Sequence, residues 1–118
     1  MTLEQFFAGH EESRQIFEAL RRAVAAVGLA QLRVTKSQVA FRRRRAFAWA
    51  WMPGTYLGGS CAPLVLTVAL RRRDTSSRWK EIVEPYPGRF IHHLELRAEA
   101  EIDDEVRAWL REAWGAAA

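Results

Sequence analysis

Four consecutive arginines, Arg42, Arg43, Arg44 and Arg45, and a second run, Arg71, Arg72 and Arg73, are the side chains of this 118-residue chain best suited to chemistry. A guanidinium offers a planar fork of N–H donors that stays charged at any physiological pH, so it grips phosphates and carboxylates two bonds at a time. With Lys36 added, the two runs make a candidate anion-binding site for nucleic acid or a phosphate-bearing small molecule. The bland alternative is a solvated strand end, where such charges discourage edge pairing and aid solubility. Immediately after the first run, Phe47, Trp49 and Trp51 alternate with Ala46, Ala48 and Ala50. Such rings can stack on bases, as in single-strand binders, and they can equally fill a core.

A second chemistry open to the chain is a small-molecule pocket or enzyme site. Trp49, Trp51, Tyr56, His92 and Lys36 would line a cavity between a sheet and a closing helix. His92 and His93 are strand neighbours and point to opposite faces, so they cannot share one metal ion. His92 has Phe90 and Leu94 on its own face and reads as a buried, hydrogen-bonded histidine. His93 shares a face with Glu95, either as an acid/base pair or as a surface ion pair. Cys61 sits in the glycine-rich "GTYLGGSCAP", as a thiol nucleophile or a structural thiol, with no signature pairing it to a histidine. "TKS", residues 35 to 37, lacks the upstream glycines of a phosphate loop, which excludes that motif. No cofactor, metal or catalytic residue is implied.

Charge is distributed unevenly. Residues 1 to 30 carry a net −1, residues 31 to 80 a net +10 and residues 81 to 118 a net −5, within a total of +4. A lone cysteine excludes an intrachain disulfide framework and fits a reducing, cytoplasmic setting. No apolar run reaches the roughly 18 residues of a membrane span, and the N-terminal stretch has acids where a signal peptide has bases. The sequence leaves the oligomeric state open.

These residues must be positioned by elements whose periods are legible. Thr2 and Gln5 have capping-box spacing, with a short helix over about 3–9. Ile16, Phe17, Leu20, Val24 and Val27 make the stripe of a helix over 11–27, closed by Gly28 as a left-handed cap. Asp103 caps a helix over about 103–115 whose apolar face is Val106, Trp109, Leu110 and Ala113. Between them the period is two: strands through Leu32–Val34, Val39–Phe41, Phe47–Trp51, Leu64–Leu70 and Arg89–Arg97, with a short one near 80–84. No segment between strands forms a helical crossover, so the sheet over 31–97 is antiparallel. The expectation is one α+β domain over 1–118, with two N-terminal helices, a meander-like sheet of five or six strands, and a C-terminal helix packed on one face. In a meander, consecutive connections alternate ends, which places Arg71–Arg73 at the same end of the sheet as Arg42–Arg45.

The strings "RVTKSQVAFRRRRAFAWAW", "LVLTVALRRRD", "SRWKEIVEPYPGRFIHHLELR" and "DDEVRAWLREAW" resemble an uncharacterised bacterial domain-of-unknown-function family over about residues 13 to 114. More distantly the plan is similar to YdhG-like domains, some described as frataxin-type iron chaperones. The acids Glu99, Glu101, Asp103, Asp104 and Glu105 would agree with that likeness; read from the residues alone, they are a helix entry. The resemblance brings no established activity and no catalytic residues.

Overall fold

The computed structural model describes residues 1–55 and 61–118. Tyr56 lies outside the described residues. Helix α1 (Leu3–Phe6) starts in the anticipated capping box: Gln5 N–H donates to Thr2 Oγ1 at 3.1 Å and Thr2 N–H donates to Gln5 Oε1 at 2.9 Å. It is shorter than the spacing suggests, because the chain turns at Gly9, whose φ of 77° is left-handed. Helix α2 (Glu11–Val27) buries Ile16, Phe17, Leu20, Ala23 and Val24. The rings of Phe6, Phe7, Phe17 and Phe41 follow one another at centroid spacings of 4.8, 5.0 and 5.9 Å, fastening α1 and α2 to the sheet.

Six strands follow: β1 (Gln31–Val34), β2 (Val39–Arg42), β3 (Ala46–Trp51), β4 (Leu64–Leu70), β5 (Glu81–Tyr86) and β6 (Arg89–Leu96). Every pairing is antiparallel, and the spatial order is β1-β2-β3-β4-β6-β5. The sheet is thus a meander through β4, after which the β5–β6 hairpin turns over so that β6 pairs with β4. Strand β4 is buried along its whole length, as its apolar run on both faces requires. Edge strand β5 contains Pro85, and its ladder with β6 slips between Val83 and Tyr86. Helix α3 (Asp104–Ala116) is capped by Asp103, whose carboxylate accepts from Val106 N–H at 3.1 Å, and it buries the expected Val106, Trp109, Leu110 and Ala113.

Helices α2 and α3 cover one face, where their apolar stripes meet Val39, Phe41, Leu64, Leu66, Val68, Leu70, Leu94 and Leu96. Trp79 fills the space between sheet and α3, 4.1 Å from Trp109 and 4.7 Å from His92 between ring centroids. Two details depart from the sequence reading. Gly28 ends α2 with a φ of 171°, which is extended backbone and not a left-handed cap. The position needs glycine because a Cβ there would stand 2.4 Å from Trp114 Cζ2, while Trp114 Nε1–H donates to Leu29 O at 2.9 Å. The second is a bulge where Phe41 pairs with Ala48 and Arg42 with Ala46. It leaves Phe47 unpaired and turns its ring into the helix-side core with Ala48 and Ala50, so the three aromatics of β3 do not share a face.

Candidate functional site

The two arginine runs meet at one end of the sheet. Arg43 to Arg45 form the β2–β3 turn, and Arg71 to Arg73 follow β4, whose residue Val68 pairs with Ala48 on β3. Helix α3 ends against them, where the last carbonyls of a helix lack the regular i+4 donors. Arg43 Nη1 donates to Trp114 O at 3.2 Å and Arg71 Nη2 donates to Ala116 O at 3.0 Å, while Arg44 donates its backbone N–H to Ala117 O at 3.1 Å. The Arg43 guanidinium also lies 3.5 Å above the Trp114 ring. Helix α3 has no basic residue in its own last turn, so arginines from two other elements complement the negative end of its dipole.

Arg72 is held hardest. Its Nε and Nη2 grip both oxygens of Glu112 at 2.9 and 2.8 Å, and Nη1 reaches Asp74 at 2.7 Å. Hydrogen bonds to Glu112 and then Asp74 push its already high pKa higher. Burial alone would raise the Asp74 pKa, but donation from Trp79 Nε1–H, Ser76 N–H and Arg72 outweighs it and lowers the pKa to about 2. Arg42, Arg44 and Arg45 make no side-chain hydrogen bond among the described residues, and Arg73 sits 5.9 Å over the Phe90 ring.

Beside this clamp lies a hollow of about 350 Å³. Arg45 from the β2–β3 turn, Arg71 after β4 and Arg89 at the start of β6 edge it, with Phe47, Ala69 and Leu70 inside and Tyr86 at the rim. Arg89 is placed there by the tight β5–β6 turn, in which Gly88 has a φ of 83° and donates its N–H to Glu84 at 3.2 Å. The size falls within the usual range for small-ligand sites. Arg89 escaped the sequence reading because it is a single charge with no run to mark it.

Among the described residues, no helix packs on the other face of the sheet. Arg33, Ala40, Trp49, Thr67, His93 and Glu81 form one transverse row there by register. Trp51 Nε1–H donates to Thr67 Oγ1 at 2.9 Å, and Thr67 Oγ1 lies 2.8 Å from His93 Nδ1. Indole N–H can only donate, so Thr67 Oγ1 accepts from Trp51 and shares a second hydrogen bond with His93 Nδ1. Burial lowers the His93 pKa, against a raising contribution from Glu81. His93 therefore bonds Thr67 and not Glu95, which pairs instead with Lys80 at 3.6 Å and Arg97 at 3.9 Å.

His92 faces the helix side and is fully buried. Its Nε2 accepts from Asp74 N–H at 3.1 Å, so Nδ1 carries the hydrogen and donates to Phe90 O at 3.1 Å. Burial pushes its pKa down, the largest of several influences. The residues named for a pocket under α3 thus separate: His92 lies beneath the helix, Trp49 and Trp51 turn to the opposite face, and Lys36, in the β1–β2 turn, stands at the sheet end away from the arginines. The alternation of β3 governs this, since the Trp49 and Trp51 positions are out of phase with the core-facing Ala48 and Ala50.

The remaining candidates have structural partners. Cys61 is half-buried and lines a hollow with His10 and Met52. The acids preceding and opening α3 are engaged: Arg78 binds Asp103 at 3.0 Å and Glu105 at 2.9 Å, Glu101 accepts from the backbone of Ala98 at 3.1 Å, and Glu99 meets Arg22 at 3.5 Å. Among the described residues no group of three or more His, Cys, Asp or Glu is arranged to hold a metal ion, and no helix is long and apolar enough to cross a membrane. Neither the curated proteins nor the solved structures contain a significant match to the chain. A family model does match, over residues 3–117, and the chain accordingly belongs to a domain-of-unknown-function family, DUF5655.

Proposed function

We propose that this domain is a non-enzymatic binding module for phosphate-bearing ligands, which it holds at the arginine end of the sheet. The observation that carries the reading is the convergence of Arg45, Arg71 and Arg89, from three separate connections, on one hollow of about 350 Å³. Arg71 is anchored by Ala116 O and gives the site a fixed wall. Arg45 and Arg89 make no side-chain hydrogen bond among the described residues and supply the adjustable forks. Nucleic acid and phosphorylated small molecules both offer the required anion, and the lone cysteine fits a cytoplasmic setting for either.

The test is a titration at low and high salt with single-stranded DNA, RNA, duplex DNA and a nucleotide set, following tryptophan emission. Counterion release makes phosphate binding weaken steeply as salt rises. The double variant Arg45→Glu/Arg89→Glu is expected to lower affinity at least ten-fold at low salt, by placing two like charges at the phosphate. Arg43 and Arg72 are unsuited to this purpose because they hold α3. Affinity that ignores both salt and the double variant would refute the proposal.

A further inference from the structure

We infer that the open face of the sheet is a base-stacking shelf, and that the ligand is single-stranded nucleic acid. The inference rests on the anion reading above and names its ligand. A second hollow, of about 580 Å³, lies on this face between Trp49, Trp51, Ile91 and His93, with Gln38 at one side and Arg89 at the other. Arg89 borders both this hollow and the one at the arginine end. A base lying on the shelf therefore has a phosphate partner within the same site.

The shelf is built and held. Thr67 ties Trp51 to His93 through bonds of 2.9 and 2.8 Å, and the two rings meet edge to face at 6.1 Å. A fixed aromatic surface stacks any base without reading its identity. The His93 Nε2 and the Gln38 amide add polar atoms for the base edge.

Charge chooses the path of the strand. Arg33 stands in the same transverse row as Trp49, whereas Glu81 ends that row at the far edge and Glu95 lies on β6. A polyanion is drawn towards β1–β3 and the arginine end and repelled from β5. Strands lie about 4.8 Å apart, so Arg45 beside β3 and Arg89 on β6, two strands over, are about 10 Å apart across the sheet. That backbone spacing lets the two long side chains approach one phosphodiester of the chain from opposite sides.

The experiment compares oligothymidylate with an abasic oligomer of equal length and with free thymidine monophosphate. The base-bearing strand is expected to bind about ten-fold or more tightly than the abasic one, with quenched tryptophan emission. Trp49→Ala should bring its affinity down to the abasic level without changing the salt slope, and Trp49→Phe should restore most of the difference. Equal affinity for the two oligomers overturns the shelf while leaving the arginine site standing. Absence of salt-sensitive binding to either oligomer and to the monophosphate overturns both readings. Monophosphate binding as tight as the oligomer overturns the single-strand assignment. Because the two oligomers are compared on the unaltered protein, the result holds even if Trp49→Ala fails to fold.

Discussion

Gly28 and His92 are residues whose surroundings, more than their types, explain their presence. A Cβ at Gly28 would meet the Trp114 ring at 2.4 Å. Gly28→Ala should therefore destabilise the domain by about 1–3 kcal/mol, the range for overpacking, as read from chemical denaturation. A merely end-of-helix glycine in extended backbone would tolerate alanine, so an unchanged midpoint would refute this account. The distance in sequence between Gly28 and Trp114 explains why the glycine looks like an ordinary cap until the chain is folded. His92 supports a different prediction. Its folded pKa lies below the ordinary 6.5 because burial disfavours the charge. The unfolded chain thus binds the proton more readily, and the His92 contribution to stability is complete above pH 6.5 and lost as pH falls through the folded value. The His93 pKa is shifted in the same direction, and Asp74, at about 2 against 3.8, extends the loss into acid. Thermal melts between pH 7.5 and 5 should show Tm falling with pH, with a shallower fall in His92→Gln; identical slopes would exclude His92 as a source.

Elements were legible where a period repeats and obscure where a local defect breaks it. The stripes of α2 and α3 and the alternation of β4 and β6 predict the observed structure closely, and meander logic brings the two arginine runs to one end. The bulge at Phe47 has no signature in "RRRRAFAWAW", and it sorts the aromatics of β3 onto two faces. The β5–β6 hairpin departs from simple neighbour order because β4, apolar on both faces, needs a long partner on its second side, and β6 matches it over seven residue pairs. The same end of the sheet shows how elements share work. The carbonyl end of α3 is held by Arg43 and Arg71. Replacing both by alanine should loosen the last turn of α3, with faster amide exchange there and a loss of about 0.5–2 kcal/mol. Exchange confined to other regions would show that the contacts do not hold the helix.

Across the whole molecule, the acidic C-terminal third folds back on the basic middle. Glu112 and Asp74 take Arg72, and Asp103 and Glu105 take Arg78. The net +10 of residues 31 to 80 consequently overstates the free positive charge; at the arginine end of the sheet it rests on Arg42, Arg44, Arg45 and Arg73, joined there by Arg89 from the β5–β6 turn. Sequence reading located the basic end but could not separate arginines that brace the fold from those left for a ligand, since bracing depends on partners brought in by α3. It also left Thr67 and Arg89 unmarked, because neither residue type is unusual in a strand until its neighbours are known. The sheet's outer strands have a further consequence. β1 is only four residues long, and β5 carries a proline and a slipped register. Neither margin offers an incoming chain a continuous ladder of donors and acceptors, so templated growth into a fibril is blocked at both sides while the broad face between them stays accessible.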